Sequence, residues 1–355
     1  MLWLIRRSID SIGSVKAGSQ LAVRDQWVVV VYFGPDIAQR RMRISMDHTL
    51  IDRLRQNITS VYMGNQTAVD RVLVALLARG HLLIEDVPGV GKTVLAMALA
   101  RSIDSSFARI QCTPDLLPSD ITGVTIYNRQ DSSFEFRPGP IFHNIIVADE
   151  INRTTPRTQS ALLEAMSETS ITVDGQTHPL PDPFMVIATQ NPYEFEGTFF
   201  LPENQLDRFL IRINLGYPSP DDESRVIRRQ PARTSLTELE PVMKTHEVRE
   251  LQNAVDEVRL EDSLVDYIIA LATATRAHND LQVGVSPRGA LALSQTAKAT
   301  ALLHGRDYCI PEDVVSNVLP TCAHRVISRT YKHDGDTKTT HRIIQQVLET
   351  VPSPA

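Results

Sequence analysis

His81-Leu82-Leu83-Ile84-Glu85-Asp86-Val87-Pro88-Gly89-Val90-Gly91-Lys92-Thr93-Val94 is the stretch on which the reading of the fold turns. An apolar run at 82–84 predicts a short strand. A turn rich in proline and glycine follows, and a helix opens at Lys92 and Thr93. Gly89 and Gly91 permit loop conformations closed to residues with side chains, so successive N–H groups can point at one anion. The helix adds its unpaired N-terminal N–H groups and the positive end of its dipole. The order strand, glycine-rich turn, helix is that of a phosphate-binding P-loop spanning Asp86 to Val94. In such a loop Lys92 reaches the β- and γ-phosphates and the Thr93 hydroxyl holds Mg²⁺. One position departs: the strict pattern has Gly where Asp86 stands.

A second landmark lies at 144–150. Ile145, Ile146, Val147 and Ala148 form an apolar run that fits a strand buried on both faces, and Asp149 and Glu150 follow at its C-terminal end. Ligands of open α/β sheets sit at that edge. Asp149 is therefore the candidate metal ligand opposite Thr93, and Glu150 the candidate general base for an attacking water. A further apolar strand at 185–189 ends near Asn191, whose amide can orient that water or touch a phosphate. Asp174-Gly175, flanked by alternating residues at 170–180, is a strong hairpin signal. Residues 123–136 fit either a hairpin or a plain surface loop.

The flanks read differently. Residues 1–45 hold both tryptophans, Trp3 and Trp27, a β-type run at 27–33 and a basic cluster at Arg40, Arg41 and Arg43. They are either an extra strand or docking arm, or an extension outside the native fold with Met46 as the natural start. The second is the expectation, because an amphipathic helical pattern begins at once from Asp47. Past Gly216 the signals are helical, best at 262–275, 288–303 and 311–319, with no clear strand. The expected division is an extension at 1–45, an ATPase-type core at 46–217 and an all-helical lid at 218–350. Ser286 and Pro287 read as N-cap and first residue of a helix, which puts Arg288 on its first turn.

The chain has 355 residues, 42% hydrophobic and 22% charged, with a formal net charge of −6. That composition is ordinary for a globular protein and argues mildly against a nucleic-acid partner. Cys112, Cys309 and Cys322 fall in no metal-ligand spacing and read as idle thiols in a reducing compartment. No run approaches a membrane span, and the N-terminus reverses the order of a signal peptide, so the expected location is cytoplasmic.

Five stretches, in order, resemble the MoxR family of AAA+ ATPases: Leu83-Ile84-Glu85-Asp86-Val87-Pro88-Gly89-Val90-Gly91-Lys92-Thr93, Val147-Ala148-Asp149-Glu150-Ile151-Asn152-Arg153, Ala188-Thr189-Gln190-Asn191-Pro192, Leu201-Pro202-Glu203-Asn204-Gln205-Leu206-Asp207-Arg208-Phe209, and Val285-Ser286-Pro287-Arg288-Gly289. The resemblance implies an α/β P-loop NTPase core with a five-stranded parallel sheet and a helical lid. It implies Mg²⁺-dependent hydrolysis of ATP to ADP and phosphate. By the same carry-over Asn191 is the sensor-1 residue, Arg208 the arginine finger and Arg288 the sensor-2 residue, and 64–66 lies by the adenine. It further implies a hexameric ring that remodels, matures or activates client protein complexes, with a von Willebrand A domain protein as a recurrent partner. The alternative is a nucleic-acid motor on the same fold, which the weakly charged hairpins at 123–136 and 170–180 disfavour. The absence of an Asn-Lys-x-Asp stretch disfavours a GTPase.

Overall fold

The alternation of apolar residues in the P-loop strand divides the core. The computed structural model describes residues 3–5, 19–24, 27–32, 35–192, 197–229, 236, 238–330 and 337–354. Strands β1 (Trp3–Ile5), β2 (Ser19–Arg24) and β3 (Trp27–Tyr32) pair antiparallel in the order β1-β3-β2. Helix α1 (Pro35–Val61) passes through Met46, where the sequence pattern placed a start, and α2 (Gln66–Leu77) follows an Asn65 cap. The chain continues through β4 (Leu82–Glu85), α3 (Lys92–Ser102), β5 (Ile103–Asp104) and β6 (Phe107–Gln111). Next come α4 (Pro118–Thr122), the hairpin β7 (Gly123–Asn128) and β8 (Ser133–Pro138), and β9 (Ile145–Asp149). Helix α5 (Pro156–Glu168), the hairpin β10 (Ser170–Val173) and β11 (Gln176–Pro179), β12 (Met185–Gln190), α6 (Glu203–Leu206), β13 (Ile211–Ile213) and α7 (Pro220–Arg229) complete the first part.

Five strands form one parallel sheet in the order β13-β4-β12-β9-β6. Leu82 and Ile84 face one apolar cluster with Ile145, Val147, Met185 and Ile187. Leu83 faces the other with Ile146, Ala148, Val186 and Ala188. Both faces are covered, which is why these strands read as continuous apolar runs rather than alternating ones. The first cluster packs against α1, α2 and α3 and continues into the C-terminal helices, whereas the second packs against α5 through Leu162, Leu163 and Met166.

Both inserted segments are hairpins. Asp174 and Gly175 adopt positive φ of 50° and 78°, the turn their sequence calls for. Residues 123–138 form a hairpin rather than a loop, and Gly123 closes its base, since a Cβ there would lie 2.2 Å from the Arg137 carbonyl oxygen. Phe136 stacks on His178 with ring centroids 4.2 Å apart, which joins the two hairpins.

After α7 come helices Thr245–Asp256, Asp262–Ala277, Pro287–Leu303, Pro311–Cys322 and Thr337–Thr350. Short strands, unsignalled in the sequence, accompany them: Leu281–Val283 pairs with Ile327–Ser328, and Met243–Lys244 pairs with β5. Two- and three-residue pairings are too short to leave a periodic pattern. Arg325 fastens this part to the sheet domain. Buried among polar partners, it donates to Asp207 Oδ1 at 2.8 Å and to the carbonyls of Phe209 and Leu210. Beside it, burial and the Arg325 charge hold His324 well below the usual imidazole pKa, and its Nε2 lies 3.0 Å from the Phe209 carbonyl.

We propose that residues 1–45 lie outside the working unit, because the amphipathic helical pattern of the sequence begins at Asp47. Deleting them is expected to leave the ATPase rate within about twofold and the melting temperature within a few degrees. A larger loss of either would make the segment part of the fold.

Candidate active site

The P-loop, the acidic pair and Asn191 meet in one cavity of about 320 Å³ at the C-terminal edge of the sheet. Gly89 and Gly91 take φ of 87° and 89°, a region that residues with a Cβ enter only with strain, and Gly91 stands at the N-terminus of α3. Lys92 Nζ donates to the Gln190 carbonyl at 3.0 Å and to that of Asp86, which places the ammonium across the mouth of the loop.

Asp86 does not adopt a left-handed φ, so the backbone needs no glycine there. Its carboxylate has other work. Oδ2 accepts the N–H groups of Leu215 and Gly216, both at 2.7 Å, and Oδ1 accepts that of Val87 at 2.8 Å. The departure from the strict pattern thus ties the start of the P-loop to the segment that leaves β13 for the lid.

Thr93 Oγ1 lies 3.1 Å from Asp149 Oδ1 and 3.3 Å from Oδ2. A hydroxyl beside a carboxylate, both hard oxygens, fits Mg²⁺, which takes one or two protein oxygens and fills its octahedron with water and phosphate. Glu150, one residue beyond β9, is in the left-handed region at φ 57° and ψ 51°. For a residue with a side chain that conformation is strained and persists only when its surroundings fix it. Here Thr189 Oγ1 accepts the Glu150 N–H at 2.9 Å and donates to Asp149 Oδ1 at 3.1 Å. Gln111 Nε2 and Arg153 Nη1 each donate to Glu150 Oε2 at 3.1 Å. Asn191 is buried against the same cavity, and its carbonyl accepts from Asn152 Nδ2 at 3.2 Å.

A second, more apolar cavity of about 180 Å³ adjoins the P-loop, lined by Val61, Tyr62, Met63, Gly91 and Val94. It places 61–63 against the loop. Burial and the charge of Asp86 push the Tyr62 phenol up to about 12, so it stays a neutral donor.

Arg208 and Arg288 do not line the cavity. Arg208 Nη1 donates to the Leu163 carbonyl on α5. Ser286 caps the helix that carries Arg288, as its sequence predicts, accepting the Gly289 N–H at 3.1 Å. Arg288 Nη1 lies 3.7 Å from Asp207 Oδ2, on the lid side of the Arg208 segment. Arg109, Gln111, Arg153 and Thr189 were not legible as site residues. Only the position of 109 and 111 on a strand next to the acidic one could have pointed to them. The three cysteines are buried and unpaired by disulfides, and burial pushes each thiol up to about 12. Among the described residues no helix is long and apolar enough to cross a membrane.

Residues 81–211 match the family model described as the ATPase family associated with various cellular activities (AAA), and 273–347 match the AAA lid domain. The Bacillus subtilis protein YeaC, itself uncharacterized, is 53% identical over 280 residues, covering 79% of this chain and 88% of its own length. Chaperone MoxR1 of Mycobacterium tuberculosis is 40% identical over 316 residues, covering 86% of this chain and 83% of its own. The solved structure of a candidate ATPase from Cytophaga hutchinsonii has a TM-score of 0.82 at 36% identity and covers 91% of this chain and 100% of that one. The parallel sheet with its helical lid agrees with these matches, and the chain belongs to the MoxR family of AAA+ ATPases.

Proposed function

We propose that this ATPase works as a hexameric ring in the cytoplasm, using ATP and Mg²⁺ to remodel, mature or activate client protein complexes. The observation that carries the chemical part is the meeting of Lys92, Thr93, Asp149, Glu150 and Asn191 in one cavity. Lys92 binds the β- and γ-phosphates. Thr93 and Asp149 hold the metal, which when bound neutralises charge on the phosphate tail. Glu150 accepts a proton from the attacking water as the bond to the γ-phosphorus forms and the bond to ADP breaks. Asn191 orients that water. Arg208, outside the lining of its own cavity, serves the γ-phosphate of a neighbouring copy once it leaves the Leu163 carbonyl, and a planar cation there stabilises charge on the transferring oxygens. A part for Arg288 requires it to leave Asp207.

The remodelling part rests on the two hairpins. They are joined by the Phe136–His178 stack, border a cavity of about 440 Å³, and expose Phe134 and Tyr127. Apolar rings on an insertion suit contact with protein better than with phosphate backbones. A von Willebrand A domain protein is the partner to which the family resemblance points. Stimulation of turnover by DNA or RNA, falling steeply with salt, would favour the nucleic-acid motor instead.

Lys92→Ala is expected to weaken ATP-analogue binding by about tenfold or more, the effect of one charge-assisted contact. Glu150→Gln is expected to bind ATP and lose ~10²–10⁴ in turnover, since an amide cannot take the proton. Unchanged turnover of that variant, measured by phosphate release, would assign the base elsewhere. Shortening the β10–β11 hairpin is expected to leave basal ATPase within a few-fold while client remodelling is lost. A fall of ATPase together with melting temperature would make the hairpin a packing element.

A further inference from the structure

Arg109 has no part in the chemistry above, yet it is bound to the carboxylate at its centre. It lies on β6, the edge strand next to β9, with Arg109 and Gln111 exposed on one face and Ile110 buried on the other. Its Nε and Nη2 both lie 2.7 Å from Asp149 Oδ2, and Nη2 also donates to Gln111 Oε1 at 3.2 Å. The Asp149 side chain is 5% exposed and the Arg109 side chain 48%. The carboxylate is fixed in place, whereas the guanidinium belongs to a half-exposed side chain at the cavity wall. Thr93 Oγ1 approaches the same carboxylate.

A divalent cation seated between Thr93 and Asp149 would share one carboxylate with a guanidinium, and two cations on one carboxylate repel. The charged residues lining the cavity are Lys92, Arg109, Asp149 and Glu150, which balance. Mg²⁺ held by Thr93 and Asp149 would leave Arg109 free of Asp149 as the phosphate tail brings negative charge into that cavity. Resting on the reading of Thr93 and Asp149 as the metal side of the site, we propose that Arg109 is a displaceable positioning cation. It holds Asp149 before the metal arrives and swings to the phosphates as Mg²⁺ takes the carboxylate. It therefore sets how much Mg²⁺ the site needs and, without metal, supports nucleotide binding by neutralising Asp149.

The test measures affinity for ATPγS by calorimetry on the full chain, in EDTA and across a Mg²⁺ titration. In Arg109→Gln the Mg²⁺ concentration that half-restores binding is expected to fall several-fold, because the competitor is gone. Affinity in EDTA is expected to drop about tenfold, because without metal or guanidinium the Asp149 carboxylate stands uncompensated beside the phosphates. Arg109→Lys, which keeps the charge, is expected to recover most of the affinity in EDTA. If both variants match the parent in EDTA and in the Mg²⁺ titration while their melting temperatures fall, Arg109 only staples β6 to β9 and the proposal is overturned. Thr93→Ala separates the two levels. If its Mg²⁺ dependence equals the parent's, the assignment of the metal to Thr93 and Asp149 fails, and this inference falls with it.

Discussion

The Asp149 carboxylate is the point at which the structure of the site is decided. Thr93 from α3, Arg109 from β6 and Thr189 from β12 all donate to it, and its side chain is 5% exposed. A buried carboxylate is costly unless its oxygens are satisfied, so each of its oxygens needs a donor or a cation at all times. The donors come from both strands that flank β9 and from the P-loop helix, so satisfying one carboxylate fixes the relative positions of the elements that build the nucleotide cavity. The sheet supplies the rest of the constraint. Its parallel strands all end at the same edge, so the P-loop after β4, the acidic pair after β9 and Asn191 after β12 arrive together.

A second set of contacts ties this edge to the lid. Asp86 accepts two N–H groups from the segment after β13, and Asn214 Nδ2 donates to the Glu85 carbonyl. On the far side of β13, Arg325 binds Asp207 and the carbonyls that follow it, while Arg288 approaches the other oxygen of the same carboxylate. Asp207 is the residue before Arg208. Both lid contacts thus bear on the segment that carries the proposed finger, one through the Arg325 hydrogen bonds and one through the Arg288 ion pair.

Much of this was legible in the sequence because it rests on local rules. The strands at 82–85, 145–149 and 185–190 announced themselves as apolar runs, the Asp174-Gly175 turn by its residue types, and the helix at 287 by Ser286 and Pro287. Non-local pairing was not legible. Arg109 meets Asp149 across 40 residues, and Thr189 meets it across 40 on the other side. Neither residue type at its own position carries a signal for that meeting. Asp86 looked like a departure from a pattern, and its reason lies 129 residues away at Leu215. Arg208 and Arg288 were reached through family resemblance alone, and within one copy neither lies at the cavity.

In the proposed ring the catalytic unit is assembled between copies, Arg208 of one subunit completing the site built on its neighbour's P-loop. The direct measurement mixes Arg208→Ala subunits with Lys92→Ala subunits, each inactive alone, and follows phosphate release. In mixed rings some interfaces join an intact P-loop to an intact finger, so activity is expected to return to a fraction of the parent's, highest near equal proportions. No recovery, with mixed rings seen by native mass spectrometry, would put Arg208 in the structure of its own subunit and contradict the account.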